Sequence, residues 1–217
     1  MIDYYKKRAQ EYEEIYNRQD PERIAEQENI SESIRQFLMN RNIIEIACGT
    51  GYWTKFLSES AKSIVATDAV KEVMDIAMQK DYSCKIQFQT ADAYNLQFEN
   101  EAFDGCLAMF WFSHINKARI NEFLEGLHRI LKSGSRVFIG DNLYVEGIGG
   151  KLVVKKGEQD TYKERTLKDG TQELVLKNYY SKEELKEIFE KHVHGFSTMN
   201  IHFGKCFWHV EYELMKQ

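Results

Sequence analysis

Asn42-Ile43-Ile44-Glu45-Ile46-Ala47-Cys48-Gly49-Thr50-Gly51-Tyr52-Trp53-Thr54 is the stretch on which the reading of this chain turns. Ile43 to Ile46 is a short apolar run of the kind that fills buried strands in parallel sheets. Small residues, Ala47 to Gly51, follow at once, and Trp53, Phe56, Leu57 and Ala61 then recur at helical spacing. A strand, a glycine turn and a helix N-terminus in succession let a ligand lie against bare backbone. The stretch predicts a cofactor cradle.

A dinucleotide fingerprint would need a third glycine in the first helical turn, and a phosphate-binding loop would need Gly-Lys-Ser/Thr. Neither is present. Glu45-Ile46-Ala47-Cys48-Gly49-Thr50-Gly51 instead resembles the first motif of the class I, Rossmann-like S-adenosylmethionine (SAM)-dependent methyltransferases, commonly Asp/Glu-x-Gly-x-Gly-x-Gly. Ala47 stands in place of the first glycine and leaves the close approach at Gly49 and Gly51. The resemblance implies SAM as cofactor, S-adenosylhomocysteine as product, and contacts from Glu45, Ala47, Cys48, Gly49, Gly51 and Trp53.

A length of 217 residues fits one domain with a sizeable core. The net charge of −5 is spread without blocks, which argues against a nucleic-acid arm or an anionic-membrane patch. Cys48, Cys84, Cys106 and Cys206 form no CxxC pair and read as reduced residues of a cytoplasmic protein. The N-terminus lacks a signal-peptide core, and the longest apolar run, Cys106 to Phe112, is too short to span a bilayer. A soluble protein, monomer or homodimer, acting on a small molecule is expected, without nucleic acid or membrane as partner.

Residues 1–41 read as a helical lid. Tyr5, Ala9, Tyr12 and Tyr16 share one face of a helix over 3–18, either as packing or as an aromatic wall of the active site. Asp20-Pro21 opens a second helix whose buried face is Ile30, Ile34, Phe37 and Leu38. The cofactor-binding core spans 42–142. Ser63 to Asp68 is a strand ending in an acid that can accept both ribose hydroxyls, or else cap the helix from Val70. The resemblance implies the ribose role for Asp68, with Ala69 beside it. It also implies an adenine contact at Ala91-Asp92-Ala93, after a strand over Cys84 to Thr90, and further cofactor contacts at Met109, Phe110 and Tyr12.

Phe103 to Met109 is the fourth strand. A helix with Ile120, Phe123, Leu124, Leu127, Ile130 and Leu131 inward ends at Lys132-Ser133-Gly134, and Arg136 to Gly140 is the fifth strand. Such alternation predicts a mostly parallel sheet with right-handed crossovers and an active site at the strands' carboxyl ends. Residues 143–180 break the alternation and read as a cap insertion, with an Asp169-Gly170 hairpin joining Tyr162–Leu167 to Glu173–Leu176. In 181–217, Ser181-x-x-Glu184 is a capping box opening a helix to about Lys191, and Ser197–Phe203 and Cys206–Leu214 make an antiparallel pair. The expected fold is an α/β three-layer sandwich with a seven-stranded sheet, its last strand antiparallel, plus N-terminal helices and the cap.

Methyl transfer from a sulfonium needs alignment and exclusion of water more than a catalytic triad. His114, just past the fourth strand, is the candidate general base, and a packing or helix-start histidine is the alternative. Tyr5, Tyr16, Trp111, His114, Asn142, Tyr144 and Arg165 are the candidate substrate residues, Arg165 as a carboxylate clamp. Asp141-Asn142 resembles the magnesium pair of catechol-type O-methyltransferases, but its third acid has no counterpart, so no metal is expected. The N-methylating signature Asn/Asp-Pro-Pro-Tyr/Phe is replaced by Met109-Phe110-Trp111-Phe112. The expected activity is methyl transfer to an oxygen, nitrogen or carbon nucleophile of a partly apolar or carboxylate-bearing small molecule. Rivals are an inactive SAM-binding or partner-activating module and, lower, an NAD-dependent oxidoreductase.

Overall fold

Strand β1 (Asn42–Ile46) pairs in parallel on both sides, with β2 (Ser63–Asp68) and β4 (Phe103–Met109). The computed structural model that shows this describes residues 2–16, 19–148 and 150–216. Outside these lie β3 (Lys85–Thr90) and β5 (Leu131–Asn142), also parallel. Antiparallel β10 (Phe207–Leu214) runs along β5 and carries β9 (Ile201–Phe203) at the edge. The order is therefore β3-β2-β1-β4-β5-β10-β9. Chain direction across the sheet reverses between β1 and β4, and a crevice opens at their carboxyl ends.

Side-chain alternation divides the core. Ile44, Ile46, Cys106, Ala108, Val137 and Ile139 face helices α5 (Ile120–Ile130) and α6 (Lys182–Phe189). Ile43, Ile64, Leu107 and Phe138 face α2 (Pro21–Phe37), α3 (Tyr52–Ser58) and α4 (Lys71–Ala77). Phe123, Leu127 and Ile34 are wholly buried, each stabilising the fold by about 1.5–3 kcal/mol relative to exposure. Helix starts follow the local signals. Asp20 accepts hydrogen bonds from the Glu22 and Arg23 amides, and Ser181 and Glu184 complete a reciprocal capping box. All four cysteines are free, and no helix among the described residues is long and apolar enough to cross a membrane.

Three expectations are corrected. The first segment is not one α-helix over 3–18: α1 (Ile2–Arg8) passes into a 3₁₀ helix over Ala9–Ile15, and residues 17 and 18 lie outside the described residues. Packing sets this path, with Tyr4 against Leu167 and Val175 of the cap and Ala9 against Val70 and Val73. Lys132-Ser133-Gly134 does not end a helix. Leu131 already pairs with Phe103, and Gly134 (φ +79°) lies in a bulge before Arg136 pairs with Gly105. The cap holds three strands, not two: β6 (Leu152–Val154), β7 (Thr161–Thr166) and β8 (Gln172–Leu176) form an antiparallel sheet. The Asp169-Gly170 turn joins β7 to β8, with Gly170 at φ +84° and Asp169 accepting from the Thr171 amide.

Candidate active site

After β1 the backbone enters the left-handed region at Ala47 (φ +55°), Gly49 (φ +56°) and Gly51 (φ +80°). The two glycines do different jobs. A side chain on Gly49 would project toward Tyr12 across the crevice, 3.7 Å from its ring. One on Gly51 would strike the Tyr82 hydroxyl and come within 3.0 Å of the Ala77 Cβ, so Gly51 lets the turn pack onto α4. Ala47 holds the left-handed conformation without glycine's freedom, a strain of about 1–2 kcal/mol. Asp68 fastens the turn: one oxygen accepts from the Gly49 amide at 2.9 Å, the other from the Val70 amide at 2.8 Å. Burial raises its pKa, and those amides pull against the rise.

The crevice is a cavity of about 530 Å³, of the size that takes a nucleoside-bearing ligand. Ala47, Gly49, Asp68, Ala69, Ala91, Asp92, Ala93, Met109, Phe110 and Tyr12 line it, as does Trp111, which thereby sits on the cofactor side. Four expected cofactor residues lie beneath its surface instead. Cys48 and Trp53 are buried in the core facing α3, and Gly51 turns toward α4. Glu45 is buried under the turn, where loss of water pushes its carboxyl up to about 8. The lining acids Asp3, Asp68 and Asp92 face one lining cation, Arg119, which stacks 3.6 Å over the Tyr94 ring.

A second cavity, about 80 Å³, lies between the N-terminal segment and the cap. Tyr5, Tyr12, Phe110 and His114 line both cavities and form the wall between them. Of the candidate substrate residues, Asn142 and Arg165 line the second, and Tyr16 and Tyr144 line neither. Tyr16 is buried, stacked on Tyr52 at 3.7 Å, and Tyr144 packs edge-on against Tyr179. Three cations on the wall of the second cavity had no signal in the sequence: Arg8, Arg23 and Lys177. Arg23 bonds Asn142 and lies 4.4 Å over the Phe207 ring.

Lys177 is buried and donates to Asp141 at 2.9 Å and to the Ser113 hydroxyl. Asp141 also accepts from the Ser113 and Asn142 backbone amides and from the Asn142 side-chain amide, so its carboxylate is engaged by an ammonium and three N–H groups. Among the described residues, the group of three possible metal ligands is His202, His209 and Glu211, outside both cavities.

His114 stands at the wall with both ring nitrogens engaged. Nδ1 lies 2.6 Å from the Leu176 carbonyl, which can only accept, so Nδ1 carries the proton. Nε2, 2.9 Å from the Tyr5 hydroxyl, accepts from it. Burial keeps the Tyr5 phenol protonated. Burial, helped by the Lys177 charge, drives the imidazole down to about 3, so it is neutral near pH 7. The folded state therefore binds fewer protons than the unfolded one. Stability is full above the ordinary value of about 6.5 and falls as pH drops toward 3. At pH 5 the loss is about 2 kcal/mol. Urea titrations at pH 7.5 and 5 should show His114→Gln losing that much of the pH dependence; an equal dependence in both proteins would mean the imidazole charges freely in the fold.

A family model described as a methyltransferase domain matches residues 43–134. A demethylmenaquinone methyltransferase of Clavibacter sepedonicus is 26% identical over 125 residues, 51% of this chain and 50% of that protein. An O-methyltransferase of Pyrenophora dematioidea is 30% identical over 113 residues, 49% of this chain and 41% of that protein. The chain thus spans about half the length, or less, of the curated relatives it matches. Among solved structures, the DhpI–SAM–HEP complex is similar with a TM-score of 0.74 and 23% identity, covering 97% of this chain and 94% of that one, a likeness of fold. The segment over residues 43–134 is thus similar to methyltransferase domains, and the sheet order with its antiparallel last strand gives the whole chain the fold of the DhpI structure.

Proposed function

We propose that this protein transfers a methyl group from SAM to a nucleophile, oxygen or nitrogen before carbon, on a small molecule. One observation carries the reading: a nucleoside-sized cavity over the glycine turn shares a wall with a second, smaller cavity. The residues present fit the cofactor. The bare backbone at Gly49 opens into the larger cavity, and its acids outnumber its cations, which suits a ligand carrying a sulfonium and an ammonium.

When bound, SAM supplies a methyl carbon on a sulfonium, displaced in line with the bonding electrons leaving on sulfur. Asp68 and Asp92 line the cavity, where Asp68 would accept the ribose hydroxyls and Asp92 would meet the adenine edge. Tyr12, Phe110 and Trp111 exclude water. His114, neutral and tautomer-locked, presents an acceptor nitrogen at the wall, where it orients Tyr5 or an acceptor hydroxyl. A proton leaving the acceptor can be received at that Nε2, although burial makes it a weak base.

Labelled SAM incubated with a panel of small acids, phenols, amines and phosphate esters tests the reading; turnover only after a second protein is added would favour the partner-activating alternative. Asp68→Ala removes a ligand acceptor and also frees the Gly49 amide. S-adenosylhomocysteine affinity should fall by about 1–3 kcal/mol, roughly 5- to 150-fold, measured by calorimetry. Unchanged affinity would take Asp68 out of the site, and tight NAD binding without S-adenosylhomocysteine binding would overturn the reading.

A further inference from the structure

We propose that the molecule accepting the methyl group carries a doubly charged tetrahedral oxyanion, a phosphonate or phosphate monoester, seated in the second cavity against Arg8 and Arg165. The inference rests on the methyl-transfer reading of the neighbouring cavity and names the substrate class for it. It begins with charge. Arg8, Arg23, Arg165 and Lys177 line the small cavity, and no carboxylate lines it among the described residues. Lys177 is matched by Asp141, and Arg23 is held by Asn142 and Phe207. Arg8, which donates to the Tyr4 hydroxyl, and Arg165 pair with no carboxylate among the described residues. Two guanidinium charges call for two negative charges, twice what one carboxylate supplies.

Shape and chemistry agree. A guanidinium offers paired donors matched to phosphate-type oxygens. The second cavity, about 80 Å³, is much smaller than the 530 Å³ crevice beside it. A compact XO₃ head with a short stem suits that size. Position matters too: the oxyanion would lie behind the wall of Tyr5, Tyr12, Phe110 and His114, leaving the rest of a short molecule against that wall. The two cavities have opposite polarity, acidic on the cofactor side and basic on this side. Each reactant's charge thus selects its own chamber.

Calorimetric titration of the full chain loaded with S-adenosylhomocysteine, using methyl phosphate, methylphosphonate and acetate as probes, tests the proposal. The two phosphorus oxyanions are expected to bind, with acetate at least tenfold weaker. Methyl phosphate affinity should climb between pH 5 and 7.5, as its second proton leaves near pH 6. Arg165→Gln should weaken methyl phosphate tenfold or more and leave S-adenosylhomocysteine affinity within twofold. No saturable methyl phosphate binding to the loaded protein would overturn the anion site and leave methyl transfer standing. Acetate binding as tightly, an affinity flat with pH, or an affinity unmoved by Arg165→Gln would each overturn it as well. Methyl phosphate binding without any S-adenosylhomocysteine binding would support the anion site and sink the methyl-transfer reading instead.

Discussion

Replacing Lys177 by methionine lowers the unfolding free energy by about 3–5 kcal/mol. The cause is the partner left behind. Asp141 is wholly buried, and without the ammonium at 2.9 Å its charge keeps the backbone amides of Ser113 and Asn142 and the Asn142 side-chain amide, none of them charged. Asp141→Asn combined with Lys177→Met should recover most of the loss, because the buried pair is removed whole. The sign with pH follows from the carboxyl. Burial is the largest influence and would raise its pKa, but the charge and hydrogen bond of Lys177, with His114 and the Ser113 amide, together hold it below the usual carboxylate range. Its contribution is present above the ordinary value near 3.9 and is lost as pH falls through the lower folded value. Urea unfolding at pH 7 therefore reads the full effect. A midpoint shift of the double variant equal to that of Lys177→Met would show that the orphaned charge is not the cause.

Removing residues 1–18 cuts methyl transfer by about 100-fold or more and leaves the seven-stranded sheet folded. Tyr5 and Tyr12 form half of the wall between the cavities, and Arg8 lines the smaller one, so the deletion opens both chambers to water. Among the described residues, the sheet's two main clusters draw Tyr12 and Tyr16 from this segment. Circular dichroism with a labelled-SAM assay on the same preparation separates folding from catalysis. A folded truncation that turns over within threefold of the full chain would reduce the tyrosines to packing.

Local signals made the cradle legible. A strand, a turn and a helix succeed one another within Asn42–Ser58, and each is set by residues a few positions apart. The same holds for β2 ending at Asp68, for the Asp20 cap and for the Ser181 capping box. Where neighbours far along the chain decide, local signals fail. Leu131 leaves its helix because Phe103 offers a strand to pair with, and β6 is three residues whose only reason to be a strand is β7 beside it. Gly51 has the look of a ligand-facing glycine, and Ala77 and Tyr82 determine that it is a packing one.

The amino-acid sequence by itself determined the parallel sheet, the glycine turn and the acids at the strand ends, because periodicity and turn chemistry act over a few residues. Only the tertiary structure decided the second cavity. Its cations come from positions 8, 23, 165 and 177, on two N-terminal helices and on and after the cap sheet. Nothing in their local patterns distinguishes them from surface charges. A charged side chain takes its meaning from the charges and apolar walls around it, and those are set by long-range packing. The same packing seats the His114 imidazole between Tyr5 and Leu176, partners that its position in the sequence does not announce.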